Sequence, residues 1–309
     1  MSIYAQNIAA KQVDSMLLLV EDMQSVVLLK DDKAYTKLLN KLRDAIATAY
    51  NEQTRSALRE AIEYLVNKGA DKFILADALK IDEILSAKLG KDLEKLVADD
   101  VNKLTSDILK LGKSEILKPL KMKLSFNVND VEASKILAEQ NLFWVGEHYS
   151  KNLKAKFDEI TSGYFDSDKT LQQIADDFEK NFKNLTNQGE QYFYDLAEHQ
   201  TNTVRELGKV NGFEQANVQY YEIRAIIDDR TSDICRRMNG TIFPVERAIE
   251  YRDNILNLND PEKIKEASPW LSPEEVQALP ADAADLPPGL SLPPYHFRCR
   301  TLCVAYFKE

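Results

Sequence analysis

Apolar residues recur every three or four positions through most of the first 210 residues, and that period predicts helix. Val13, Met16, Leu17, Val20 and Met23 share one face, as do Leu38, Leu39, Leu42, Ile46 and Tyr50, and then Leu58, Ile62 and Leu65. Gly69 and Gly90 are expected to break this series into separate helices. Val97, Val101, Leu104, Ile108 and Leu111 alternate four and three apart, a short seam that suits either packing inside a helical bundle or an oligomer contact. Past residue 130, Leu153, Phe157 and Ile160 mark a further helix. Ser167 or Asp168 is expected to cap the next, whose stripe is Leu171, Ile174, Ala175, Phe178, Phe182 and Leu185. A separate helix over about 190–210 places Phe193, Leu196, Ala197, Val204 and Leu207 inward, with Gly212 as its stop.

The period then shortens. "VQYYEIRAII" (218–227), "TIFPV" (241–245) and "RTLCVAYF" (300–307) are β-branched or aromatic and read as three strands. "DDRTSDICRRMNG" (228–240) reads as a turn, a short capped helix and a glycine stop, with Asp229, Thr231 or Ser232 as cap. One proline, Pro119, precedes residue 240 and nine follow it, so long helices are confined to the first part. The prolines after 260 mark a long insert expected to bury little. It holds one short helix, "SPEEVQAL", with Pro273 at its first position. The predicted fold is α+β and predominantly helical. An N-terminal helical region (1–130) precedes a domain (131–309) of helices, a small antiparallel sheet and the Pro-rich insert.

Composition narrows the function classes. Apolar residues make up 44% and charged residues 29%, which suits ordinary globular burial. A net charge of -10 argues against a free-standing, non-specific nucleic-acid binder. The local run "ILKLGKSEILKPLKMK" carries five lysines and is the one stretch (110–123) suited to DNA backbone, or else to a solvated helix end. No run approaches the roughly 20 apolar residues of a membrane span, and the N-terminus lacks the basic start of a signal peptide. A soluble protein made in the cytoplasm is expected.

The three cysteines are an odd number, all beyond residue 230, and two of them fall with one histidine in "PPYHFRCRTLC" (293–303). In a reducing compartment such clustering suggests metal more than disulfide. His148 and His199 lie on separate predicted helices and read as surface or hydrogen-bonded residues. Asp228, Asp229 and Asp233 read as turn and cap residues, and Arg300 as a partner for one of them across the sheet.

The order of these segments resembles the phage Mu F-like family of minor head and head-morphogenesis proteins. The resemblance rests on "DDRTSDICRRMNGTIF", on "PPYHFRCRT", and on the upstream Phe143, Trp144 and "HQTNTVRELGKVNGFEQANVQYYEIRA". It covers about residues 140–305 and implies a low-copy capsid component in the virion, associated with the portal protein and other capsid proteins during assembly in a bacterial cytoplasm. A role in DNA packaging or ejection follows, with no enzymatic activity. The chain ends just past its closing strand, at Glu309, which leaves no expected room for an appended enzyme domain. Many members of that family carry Cys-x-x-Cys in the first turn and His-x-x-Cys near the end, a set suited to structural zinc. Here Ser232 replaces the first cysteine, leaving Cys235, His296 and Cys299, with Cys303 as the expected substitute. In an extended strand 299 and 303 lie about 13 Å apart, which opposes that substitution unless the chain bends. Zinc, a metal-free packed cluster and catalytic use remain open. A metal-dependent hydrolase or toxin-like effector using His296, Cys299 and an aspartate is the alternative function.

Overall fold

The computed structural model describes residues 33–68, 72–148, 154–165, 167–258 and 260–308. The expected helix through Val13 and Met23, the break at Gly69, and the side chains of His148, Leu153, Phe182 and Leu185 lie outside the described residues. Among those described, ten α-helices accompany a three-stranded antiparallel sheet, which makes the chain helical α+β. Those in the first part of the chain are α1 (Lys33–Lys68), α2 (Leu75–Ser86), α3 (Leu93–Leu117), α4 (Val128–His148), α5 (Lys154–Ser162) and α6 (Leu171–Gln215). Strand β1 (Tyr220–Arg224), helix α7 (Asp233–Met238), strand β2 (Ile242–Pro244) and helix α8 (Val245–Asn257) follow. Two short helices, α9 (Ile264–Ala267) and α10 (Pro273–Gln277), precede the closing strand β3 (Leu302–Tyr306).

Several glycines and caps act differently from their sequence signal. Gly90 does not end a helix: a π-helical turn over Ala87–Asp92 joins α2 to α3. The expected division before residue 190 is absent too, since α6 runs unbroken for 45 residues. Its start is held by Thr170 and Gln173, not by Ser167 or Asp168. The Gln173 amide donates to Thr170 Oγ1 at 3.3 Å and the Thr170 amide donates to Gln173 Oε1 at 2.9 Å, a reciprocal cap. The helix passes through Gly212 to Gln215.

The described chain falls into two compact units. One comprises 40–104 and 138–197 and is all helical. Its core is built from Leu42, Ile46, Tyr50 and Leu65 of α1, Ile81 and Leu85 of α2, Val97 and Val101 of α3, Phe157 of α5, and Phe178 and Phe193 of α6. Of the apolar seam of α3, Val97, Val101, Leu104 and Ile108 are buried and Leu111 is half-buried. Gly189 lies where Tyr50 approaches: a Cβ there would stand 2.0 Å from the tyrosine oxygen.

The other unit comprises 33–39, 105–137 and 198–308. Here the α3 segment packs on the α6 segment at backbone contact. A Cβ on Gly112 would meet the Arg205 carbonyl oxygen at 2.0 Å, and one on Gly208 would meet that of Leu109 at 2.3 Å. The boundary expected near 130 falls inside this unit. Asp130 is buried there, accepting from Lys113 Nζ at 2.8 Å, Asn211 Nδ2 at 2.8 Å and the Asn127 amide at 2.9 Å. A second buried pair, Lys209 and Glu206, reaches the closing strand. Glu206 accepts from the Cys303 amide at 2.7 Å, and Lys209 donates to Glu206 at 2.6 Å and to the Cys303 carbonyl at 3.3 Å.

The three sequence-predicted strands form the sheet in the order β2-β1-β3. Tyr221 lies opposite Phe243 and Ala305, and Ile223 opposite Cys303. The Pro-rich insert buries more than expected, since Leu286, Leu290, Leu292 and Tyr295 are all inside. Arg247 of α8 gathers it, donating to Ser291 Oγ at 3.1 Å and to the carbonyls of Ala283, Ala284 and Leu286. Pro273 starts α10 as expected, with Ser272 and Glu275 forming its capping box.

A candidate metal centre at Cys235, His296 and Cys299

Two turns approach each other at this end of the sheet. In the first, the Thr231 hydroxyl donates to the Ile226 carbonyl at 2.7 Å and accepts from the Asp228 amide at 2.8 Å. Ser232 then caps α7, its oxygen accepting from the Cys235 amide at 3.4 Å. That cap fixes Cys235 in the first turn of the helix, facing inward. In the second turn, Arg298 adopts a left-handed backbone with φ of 58°. The reversal there carries the chain from His296 to Cys299 within one tight turn.

The result is one cluster. Ligand atoms of Cys235, His296 and Cys299 all lie within 4.8 Å of one another. Cys235 Sγ is 3.6 Å from Cys299 Sγ and 3.2 Å from His296 Nε2. Tetrahedral zinc, with bonds of about 2.3 Å to sulfur and about 2.0 Å to nitrogen, sets sulfur atoms about 3.8 Å apart and sulfur and nitrogen about 3.5 Å apart. The two distances from Cys235 are thus close to those required, each short by a few tenths of an ångström. His296 Nδ1 lies 2.6 Å from the Phe297 carbonyl, which assigns the proton to Nδ1 and leaves the Nε2 lone pair facing the sulfurs. These residues could hold a metal ion, and their donor set of two sulfurs and an imidazole suits zinc.

The two thiols shift in opposite directions. The contact with Cys299 holds the Cys235 thiol down at about 6, although burial opposes this; the hydroxyls of Ser232 and Thr301 and the charge of Arg300 add to it. Cys299 is pushed up by the same contact and by its burial.

Cys303 does not join them. Its position on β3 opposite Ile223 places it among sheet residues, where it is wholly buried and its thiol is pushed up by burial. It is not grouped with the three ligands, and Cys303 acts as a small core residue. Arg300 does pair with an aspartate, though through the turn after β1 and not across the sheet. It grips Asp228 with both nitrogens, at 2.8 and 2.6 Å. That grip, aided by the Arg230 amide and Thr231, holds the Asp228 carboxyl well below the usual range. Asp233 lies in the first turn of α7, as a helix start favours. His199 sits beside the cluster without entering it, edge-on to Phe297 at 5.5 Å and to Trp270 at 5.6 Å between ring centres. Sequence reasoning took Ser232 as a cap but missed its second contact, 2.8 Å from His296 Nε2. The Ser-x-x-Cys spacing at a helix start was the available signal.

Of the five lysines at 110–123, Lys113 is buried against Asp130 and Lys110 lies over the Phe126 ring, while Lys118, Lys121 and Lys123 are exposed. Among the described residues no helix is long and apolar enough to cross a membrane. No family model, curated protein or solved structure matches the chain.

Proposed function

We propose that this chain is a minor head protein of a tailed phage or prophage, acting at the portal vertex in head assembly and DNA packaging or ejection. Its C-terminal part is closed by a structural zinc bound to Cys235, His296 and Cys299. The observation that supports this most is the meeting of the two turns. The segments that carry the family resemblance, whose outer ligands Cys235 and Cys299 lie 64 residues apart, form one cluster that could hold a metal ion. Metal binding there would tie the insert and β3 to α7, a stabilising role, because the unfolded chain has no preformed site. Protein contacts dominate in this reading. Packaged DNA is a secondary partner through Lys118, Lys121 and Lys123, since Lys113 is already paired.

The test is co-expression with candidate portal and major capsid proteins of tailed phages. The chain should co-purify with the portal and enter heads. Tight binding to random duplex DNA at physiological salt without portal association would overturn the proposal.

A metal-dependent hydrolase is the second reading, favoured by the half-exposed His296 and Ser232 on one side of the cluster. It requires a carboxylate as proton acceptor. Asp228 has both oxygens on Arg300, and no other carboxylate among the described residues groups with the three ligands.

A further inference from the structure

Among the described residues, three side chains offer ligand atoms at the centre, and tetrahedral zinc takes four. The surroundings of the three are not alike. Cys235 and Cys299 are buried, at 4% and 2% exposure, whereas His296 is half-buried. Ser232, also half-buried, lies on the His296 side, with its hydroxyl 2.8 Å from Nε2. The sulfurs thus face the core and the serine faces the solvent side of the same cluster. Serine is held there independently of any ion, since its oxygen caps α7 by accepting from the Cys235 amide. A neutral hydroxyl is a weak donor beside two sulfurs and an imidazole. It is well placed, however, to hydrogen-bond a ligand that occupies the fourth position.

From this arrangement we infer that the centre is an open one, whose fourth position takes an exchangeable monodentate ligand held by Ser232: water at rest, replaceable by a small anion. This rests on the metal reading above and adds to it a binding site for anions. No bond within the protein changes in the exchange. One neutral water leaves and one anion enters, lowering the charge of the centre by one. Cys303 does not supply the fourth ligand: it lies on β3 opposite Ile223 and is not grouped with the other three.

The test uses the full chain loaded with Co(II), whose absorption reports both thiolate ligation and coordination geometry, and thiocyanate as the anion. The wild-type protein should show cobalt–thiolate bands, and its visible bands should shift on adding thiocyanate. Ser232→Cys places a fourth sulfur-bearing ligand at the serine's position, so its bands should no longer shift. Ser232→Ala removes the hydroxyl and keeps the position open, so it should bind cobalt and still respond, at higher thiocyanate concentration. Cobalt–thiolate bands in the wild type that ignore thiocyanate and match those of Ser232→Cys would overturn the open position while leaving the metal reading intact. Absence of such bands in wild type and all variants would overturn the metal reading, and this inference with it.

Discussion

Lys113 shows how a residue's meaning changes once its neighbours are known. In sequence it belongs to a lysine-rich run suited to DNA backbone, yet it is 3% exposed and paired with an equally buried Asp130. Removing one partner of such a pair strands the other charge. Lys113→Ala should therefore cost about 3–5 kcal/mol, whereas Lys118→Ala, at an exposed site, should change stability by no more than about 0.5 kcal/mol. Urea denaturation of both variants checks the contrast, and equal small effects would contradict it. His199 offers a pH test. Burial lowers its pKa to about 4, from an unfolded value near 6.5. The unfolded chain binds the proton more tightly, so the stability linked to His199 is fully present above about pH 6.5 and is lost as pH falls toward 4. Replacing His199 by Gln should flatten that part of the stability–pH curve. An unchanged slope would show that the wild-type histidine titrates normally.

At the scale of elements, the strands were legible and several helix ends were not. The runs at 218–227, 241–245 and 300–307 announced themselves by β-branched and aromatic residues, and each holds a strand. Gly90 and Gly212 looked like stops because sequence shows a glycine without showing what lies against it. Gly90 has open space, and the helix continues through a π-turn; Gly212 lies against Ile116 and Lys113. The same distinction predicts opposite outcomes for alanine substitution. Gly90→Ala should stabilise by up to about 1 kcal/mol, the usual gain in a helix interior. Gly208→Ala gains the same propensity but drives a Cβ to 2.3 Å from the Leu109 carbonyl, which is backbone and cannot swing away. Overpacking of about 1–3 kcal/mol should win there, giving a lower thermal midpoint. A stabilised Gly208→Ala would contradict the close packing of α3 on α6. The Arg247 clamp on the insert was invisible in sequence for another reason: most of its acceptors are backbone carbonyls, which carry no residue signature.

For the molecule as a whole, the candidate site was legible as residue types and incomplete as geometry. Cys235, His296 and Cys299 were nominated from two turns, and these turns do meet. Cys303 was nominated for lying four residues beyond Cys299, but it sits on β3 opposite Ile223 and outside the cluster. Ser232 was recognised as a cap, while its proximity to His296 needed the folded chain. If the cluster closes this part of the protein with a metal, then chelation should lower the thermal midpoint of the wild type. It should leave a Cys235→Ser variant, already destabilised, unchanged. The central claim is tested most directly by the metal content of the full chain purified without chelators or affinity metals, measured by elemental mass spectrometry beside Cys235→Ser. The account predicts about one zinc per wild-type chain and near none in the variant. A wild-type chain that folds and carries no metal, with stability unchanged by Cys235→Ser, would contradict it.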